Sequence, residues 1–230
     1  MDNREDLPPF LRIASRPKHA ISDRNGEKIE LQAPAPSTLL YVQDCKNCEF
    51  ELEKKALKVI VDGCKDCLFN VNNSLLTGMI EVLNCENLAL NILENGVIMT
   101  LTIDGSKNIK VNALKNDQFE SIYTHHSLGV EVVVGTENPT RVPVVIDDEP
   151  ERQYLVHWEK DGDNLNLTFD KVIRDGNYPT TEKKLAEARE RERKMSKKMA
   201  TMLVDSIKVT KKSKKSKSKE DGEIKRSRSC

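Results

Sequence analysis

Residues 42–50 read VQDCKNCEF and residues 61–69 read VDGCKDCLF. The two stretches place four thiols in the order C-x2-C-x15-C-x2-C: Cys45, Cys48, Cys64 and Cys67. Two thiolate pairs on neighbouring turns can complete a tetrahedral shell around zinc, so this spacing alone would predict a zinc site. The other interpretation is that the two stretches are copies of a structural repeat.

The repeat continues where the cysteine pairs end. Residues 80–90 read IEVLNCENLAL and residues 101–111 read LTIDGSKNIKV. The first cysteine position then holds Cys85 and Ser106, and the second holds Leu88 and Ile109. Successive copies start 19, 21 and 21 residues apart. A period near twenty residues that persists without the thiols favours a repeat architecture over a metal site.

Each copy predicts two β-strands joined by a polar corner. Apolar and polar residues alternate in both halves of a copy, for example in MIEV at 79–82 and LALNIL at 88–93. Such alternation sends one side of each strand inward, and corner residues such as Asp44 and Gly63 tolerate left-handed backbone. Two strands with a turn at each end form one coil of a β-solenoid. Stacked coils would bury two ladders: Cys45, Cys64, Cys85 and Ser106 in one, and Cys48, Cys67, Leu88 and Ile109 in the other.

The formal net charge of zero hides an uneven distribution of charge. Residues 208–230 contain ten Lys or Arg and three Asp or Glu, whereas residues 1–181 contain 19 basic and 29 acidic residues. The tail has almost no apolar residues to offset the entropy of folding, so it is predicted to be disordered. A basic tail of this kind could contact a polyanion by counterion release, and it leaves a nuclear location open.

The remaining composition predicts an intracellular protein without a membrane span. No apolar run approaches the length of a span, and the N-terminus, MDNREDLPPFLRI, has acidic residues ahead of its apolar ones, unlike a secretory signal. Because the cytosol keeps thiols reduced, the clustered cysteines are expected to stay free.

A charged helix is predicted over residues 182–207, which contain neither Gly nor Pro. Pro179, Thr180 and Thr181 form an N-cap signal before it. Six apolar residues can share one of its faces: Leu185, Ala188, Met195, Met199, Met202 and Leu203. This face could pack on the same chain or bind a partner.

A β-hairpin is predicted at residues 153–173, after three β runs in residues 116–146. Tyr154, Val156 and Trp158 alternate with other residues in its first strand, so they can bury one face. The last coil of a solenoid exposes unpaired backbone groups that must be covered. The sequence therefore predicts a homodimer through this hairpin, and the alternative is that the hairpin folds back on its own chain.

Five consecutive stretches resemble one known family: YVQDCKNCEF, VIVDGCKDCLF, GMIEVLNCENLAL, MTLTIDGSKNIKV and SIYTHHSLGVEVVV. They are similar to the C-terminal domain of the adenylyl cyclase-associated proteins, which shares its fold with tubulin-folding cofactor C. The resemblance covers about residues 27–173. It implies a right-handed parallel β-helix that dimerises by exchange of a C-terminal hairpin. It also implies binding of actin monomers with promotion of their nucleotide exchange, and a cytoplasmic, cytoskeleton-associated location.

The chain departs from that family in several places. It lacks the N-terminal helical domain and proline-rich segment of the cyclase-associated proteins, and it adds the helix and the basic tail. The Gln-x-Arg element of cofactor C-like GTPase activation is also missing. Its nearest match, Gln118-Phe119-Glu120, has a carboxylate where an arginine would stabilise phosphoryl transfer. This difference argues against regulation of a small GTPase or of tubulin, which remains the alternative function.

The predicted partner surface is a row of corner residues, because solenoids usually bind along an extended face. The row contains Lys46, Asn47, Lys65, Asp66, Glu86, Asn87, Lys107 and Asn108. The paired His125 and His126 are interpreted as solvated turn residues, since no acid or cysteine lies at helical or hairpin spacing from them. No phosphate loop or catalytic set stands out. The expectation is a non-catalytic protein without a cofactor or a metal.

The predicted domains are an extension at 1–26, the β-helix with its hairpin at 27–173, a linker and helix at 174–207, and the tail at 208–230. The predicted fold class is all-β. The function that follows is binding of actin monomers, with the tubulin or GTPase regulator and the polyanion-binding tail as alternatives.

Overall fold

The computed structural model describes residues 17–135, 140–144, 153–162, 164–175 and 178–202. Most of these residues lie in β-strands that form two sheets. The first sheet contains, in spatial order, β1 (Lys18–Ser22), β3 (Leu39–Gln43), β5 (Lys58–Asp62), β7 (Met79–Leu83), β9 (Ile98–Asp104), β11 (Phe119–His125), β14 (Gln153–Asp161) and β15 (Asn164–Asp175). The second contains β2 (Lys28–Glu30), β4 (Glu49–Leu52), β6 (Leu68–Val71), β8 (Glu86–Ile92), β10 (Lys107–Ala113), β12 (Val130–Val134) and β13 (Thr140–Val144).

These strands form a β-solenoid of about six coils, as the sequence predicted. Each coil contributes one strand to each sheet, and strands of successive coils pair in parallel. The first coil begins at β1, which lies inside residues 1–26 and therefore before the predicted start of the domain at residue 27. That coil lacks the cysteines that mark the second, third and fourth coils.

The core lies between the two sheets and consists of stacked rows of apolar side chains. In one row Val42 is in register with Val61, Val61 with Val82, and Val82 with Ile103. All four are almost completely buried. The Phe50 and Phe69 rings stack on the second sheet with centroids 4.5 Å apart. Removing such continuous apolar surface from water is the main stabilising contribution to a solenoid.

The last coil is followed by antiparallel strands. β13 pairs with β12, and β14 pairs with β11 and then with β15. The β14–β15 connection confirms the predicted hairpin, with Asp161 opposite Asn164 and Gly162 in a left-handed conformation with φ of 61°. The structure therefore covers the open edge of β11 with a strand of the same chain.

The chain divides into two compact units, Met1–Val172 and Ile173–Cys230. The second unit contains β16 (Tyr178–Thr181) and a helix, α1, over residues 182–202. Thr181 caps α1 as predicted, since its Oγ1 accepts a hydrogen bond of 3.2 Å from the Lys184 amide. Four members of the predicted apolar face are exposed, Ala188, Met195, Met199 and Met202, and Leu185 is half-buried.

Two other predictions concern the C-terminal residues and membrane-spanning helices. Leu203 and the basic tail at 208–230 lie outside the described residues, so the predicted disorder of the tail stays a prediction. Among the described residues, no helix has the length and apolar character needed to cross a bilayer.

Candidate interaction surface

The connection from the first sheet to the second has the same five-residue form in every coil. We call it the corner; it comprises residues 23–27, 44–48, 63–67, 84–88, 105–109 and 126–130. Its first and fourth residues have positive φ throughout, for example 64° at Gly63 and 53° at Asp66. Left-handed backbone favours Gly, Asn and Asp, and these types hold nearly all of the twelve positions.

The corner geometry explains half of the predicted partner row. Asn47, Asp66, Asn87 and Asn108 all hold the fourth corner position. Their side chains also bond along the solenoid: Asn87 Nδ2 donates to Asp66 Oδ1 at 2.9 Å, and Asn108 Nδ2 donates to Asn87 Oδ1 at 2.9 Å. Their residue types are thus explained by backbone conformation and by the hydrogen bonds between coils.

The third corner position carries the other half of the row and has no such conformational demand. It holds Lys46, Lys65, Glu86 and Lys107, whose backbones pair from coil to coil. Lys65 Nζ lies 2.7 Å from Glu86 Oε2, and this hydrogen bond raises the pKa of the lysine. Lys46 and Lys107 are exposed and form no ion pair within the described part of the chain. The structure therefore brings all eight predicted residues into one row along one corner, with two lysines available to a partner.

From the second coil onward, the second and fifth corner positions point inward and confirm the two predicted ladders. The first ladder contains Cys45, Cys64, Cys85, Ser106 and also Ser127, and the second contains Cys48, Cys67, Leu88, Ile109 and also Val130; each is at most 3% exposed. The five cysteines are free. Each thiol donates to the carbonyl two residues before it, as Cys48 Sγ does to Lys46 O at 3.1 Å and Cys67 Sγ to Lys65 O at 3.1 Å.

Burial and mutual contact raise the pKa of three of these thiols, Cys45, Cys64 and Cys67, whereas the hydrogen bond with Cys64 lowers the pKa of Cys85. Burial raises the pKa of Cys45, and the hydrogen bond with Cys64, together with burial, raises the pKa of Cys67. For Cys64 the hydrogen bond with Cys67 lowers the pKa, but the hydrogen bond with Cys85 and burial outweigh it and raise the value to about 12. Neutral thiols are poor metal ligands and poor nucleophiles. The cysteines are best explained as packing and hydrogen-bonding residues of the solenoid.

The first strand of the hairpin buries side chains of the predicted face and, at Leu155, of the opposite face as well. Tyr154 and Val156 are buried, and Trp158 packs against the same core. Trp158 Nε1 donates to Phe119 O at 3.0 Å, and the two rings lie 5.3 Å apart. Within one chain, these three residues contact the end of their own solenoid; exchange of the hairpin between chains stays a prediction.

Two features were not predicted from the sequence, although both follow the solenoid period. Asn70, Asn91 and Asn112 form an amide ladder on the second sheet, with hydrogen bonds of 2.9 and 2.8 Å. The sequence predicts solvated turn positions for His125 and His126, since no acid or cysteine lies at helical or hairpin spacing from them. The structure instead places Asp104 beside both, because β9 and β11 pair with His125 opposite Asp104. A search at a spacing of 21 residues would have found both features.

Gln118 has a structural role that explains it without GTPase activation. It is buried in a 3-10 turn, Asn116–Gln118. Its Oε1 accepts from the Leu114 and Lys115 amides at 2.6 and 3.0 Å, and its Nε2 donates to Leu93 O at 2.5 Å. A side chain held by these bonds is not available to position a nucleotide.

The family profile described as "Adenylate cyclase associated (CAP) C terminal" matches residues 11–149. The chain belongs to this family. Among solved structures, it is similar to the cyclase-associated protein of Cryptosporidium parvum, with 16% identity and a TM-score of 0.50. That similarity covers 66% of this chain and 89% of the other, and it supports the fold. A search of curated proteins returned no significant match.

Membership of the CAP C-terminal family confirms the resemblance that the repeat suggested. The family consists of non-catalytic binding domains of cytoskeletal regulators, and its fold agrees with the solenoid of stacked coils. The corner row is therefore a surface of a CAP C-terminal domain, and the hairpin follows the residues that match the family profile.

Proposed function

We propose that this CAP C-terminal domain binds actin monomers through the corner row and promotes their nucleotide exchange in the cytoplasm. The observation that carries the proposal is the rigid, exposed row of third-position residues on four consecutive coils of a CAP-family solenoid. Backbone hydrogen bonds of 2.8 to 3.0 Å hold each of these residues to the coil before it. The backbone of a row held in this way loses little conformational entropy when a partner binds.

The two lysines without ion pairs within the described chain, Lys46 and Lys107, are the proposed contacts with a partner. Charges at the rim of an interface mainly affect association rate and partner choice. A partner with complementary acidic groups would gain attraction at both ends of the row. The positive charge of Lys65 is already paired with Glu86, so this lysine contributes less to the attraction of an acidic partner.

Charge reversal tests this proposal. Binding to fluorescently labelled actin monomers should weaken in the double variant Lys46→Glu, Lys107→Glu, and the release of bound nucleotide from actin should slow in parallel. Lys110→Glu is the matched control, since Lys110 is also an exposed lysine of β10 but is not in the corner row. Wild-type binding in the double variant, or equal weakening in the control, would contradict a role for the corner row.

We also propose that the domain forms a homodimer through the hairpin. In β15, Leu165, Leu167 and Phe169 lie opposite β14 residues Lys160, Trp158 and Val156, so their side chains share the core-facing side of the hairpin. Leu165 and Phe169 are nevertheless 38% and 43% exposed. Exposed apolar groups beside a buried face support contact with a second copy.

A further inference from the structure

We infer that Asp104, His125 and His126 form a binding site for a divalent transition-metal ion such as Zn²⁺. The three residues lie where the first-sheet strands of two adjacent coils meet their corners. Asp104 ends β9, His125 ends β11 in register with it, and His126 takes the first, left-handed position of the last corner with φ of 45°. The fold thus presents one carboxylate and two imidazoles to the same space.

The distances fit a tetrahedral ion. Asp104 Oδ1 lies 3.1 Å from His125 Nδ1 and 3.6 Å from His126 Nδ1, and the ligand atoms of all three residues lie within 4.8 Å of one another. Two ligand atoms bound at 2.0–2.1 Å to a tetrahedral ion are separated by about 3.3 Å. The observed separations lie on either side of that value, so small rotations of the side chains would complete the geometry.

The ligand types select the class of metal. Imidazole and carboxylate together suit Zn²⁺, Ni²⁺ and Cu²⁺, whereas Mg²⁺ and Ca²⁺ prefer sites built from oxygen alone. Three protein ligands leave a fourth coordination position open. The side chains of Asp104, His125 and His126 are 43%, 35% and 44% exposed, so an ion can enter from solvent.

A bound ion would join the last two coils at their corner. Asp104 belongs to the fifth coil, and the two histidines belong to the sixth. Because the unfolded chain does not hold these groups together, the ion would bind the folded state and raise the unfolding temperature of the protein.

Zinc titration of the full chain by calorimetry, with thermal unfolding beside it, tests the site. We expect one zinc per chain and an unfolding temperature that rises with zinc. His126→Asn should weaken zinc binding about ten-fold or more and remove the thermal shift. Loss of a residue that binds the ion directly costs at least as much affinity as loss of a residue that only hydrogen-bonds to such a ligand. Asparagine accepts the left-handed conformation at this position, and Asp104→Asn is a second variant that preserves side-chain size.

Three further measurements distinguish this site from other sources of binding. His19→Gln is the matched control and should bind zinc as the wild type does. His157→Gln tests the only other group of potential ligands found in the described chain, His157, Glu159 and Asp170. Cobalt substitution reports thiolate ligands through intense charge-transfer absorption. The inference is overturned if the wild type does not bind zinc, if His126→Asn binds equally well, if His157→Gln abolishes binding, or if cobalt shows thiolate bands.

Discussion

The hydroxyl of Ser106 accepts a hydrogen bond of 3.0 Å from the amide of Cys85, one coil earlier in the solenoid. At the same ladder position the Cys64 amide faces the Cys85 sulfur and the Cys45 amide faces the Cys64 sulfur, and each contact acts to lower the pKa of the thiol that it reaches. Ser106 Oγ also donates to Asp104 O at 2.9 Å, as Cys85 Sγ donates to Leu83 O at 3.1 Å. Serine and cysteine therefore perform one task at this ladder position, which is to satisfy a buried backbone amide.

Substitution of Cys64 tests this equivalence. Cys64→Ser keeps a donor and an acceptor and should change the free energy of unfolding by no more than about 1 kcal/mol. Cys64→Ala leaves the Cys45 amide without its acceptor and should cost about 1–3 kcal/mol. Urea denaturation of the two variants and the wild type measures both values. If Cys64→Ser lowers the free energy of unfolding as much as Cys64→Ala does, the hydrogen bonds between coils do not stabilise the solenoid as described.

The raised pKa of Cys64 predicts a loss of stability at alkaline pH. The thiol has a pKa of about 12 in the folded chain against an ordinary value of 9.0. Below pH 9 both states keep the proton and stability does not depend on this group. From pH 9 towards 12 the unfolded state releases the proton while the folded state retains it, so the free energy of unfolding falls.

The Cys64→Ser variant isolates the contribution of this thiol to the pH dependence of stability. The free energy of unfolding, measured by urea denaturation between pH 7 and pH 10, should fall less steeply above pH 9 in Cys64→Ser than in the wild type. A hydroxyl does not ionise in this range. Equal slopes in the two proteins would show that the Cys64 thiol does not ionise differently in the two states.

The solenoid could be predicted from the sequence because each coil repeats the same physical requirements. From the second coil onward, inward positions such as Cys64 and Leu88 hold small or apolar residues, and nearly all left-handed positions, such as Asn84 and Asn87, hold Gly, Asn or Asp. The first coil was missed because Arg24 and Glu27 stand where the later coils have their inward residues. The middle coils of the solenoid are therefore easy to recognise in the sequence, and its first coil is hard to recognise.

The interaction surface was only partly predictable. Sequence periodicity placed Lys46 and Lys107 in one row, but it could not show that Lys65 is paired with Glu86 or that Asn87 is bonded to Asp66. These contacts depend on rotamers of side chains on neighbouring coils. The site at Asp104 was missed for a different reason, because a spacing of 21 residues brings side chains together only once the coil length is known.

Thr124 extends the buried row of Val82 and Ile103 but carries a hydroxyl. It is completely buried, and its Oγ1 has no hydrogen-bond partner within the described part of the chain. A buried hydroxyl without a partner costs about 1–3 kcal/mol. Thr124→Val, which has nearly the same shape, should therefore raise the free energy of unfolding by about 1 kcal/mol.

Thr102→Val is the matched control for this prediction. Thr102 lies on the outward side of β9 and is only half-buried, so its substitution should change stability by no more than about 0.5 kcal/mol. Both variants can be measured by thermal and urea unfolding. A destabilised Thr124→Val protein would indicate that the hydroxyl has a partner after all.

The homodimer proposal makes a prediction about Phe169. This side chain is 43% exposed on the core-facing side of the hairpin, opposite the fully buried Val156. If a second copy covers this side, Phe169→Ser should convert a dimer into a monomer, because an interface loses affinity when a buried aromatic anchor is removed. If the hairpin only caps its own coil, the substitution changes an exposed residue and leaves the oligomeric state as it was.

Light scattering at tens of micromolar protein distinguishes these outcomes. Leu76→Ser is the control, since Leu76 is 57% exposed on the connection between β6 and β7. A chain truncated after residue 178 lacks most of β16, α1 and the basic tail, and it should remain a dimer because β14 and β15 are retained. A folded wild-type chain that is monomeric at this concentration would show that β14 and β15 serve as an internal cap. A dimer lost on truncation but kept in Phe169→Ser would instead place the contact in α1 or the tail.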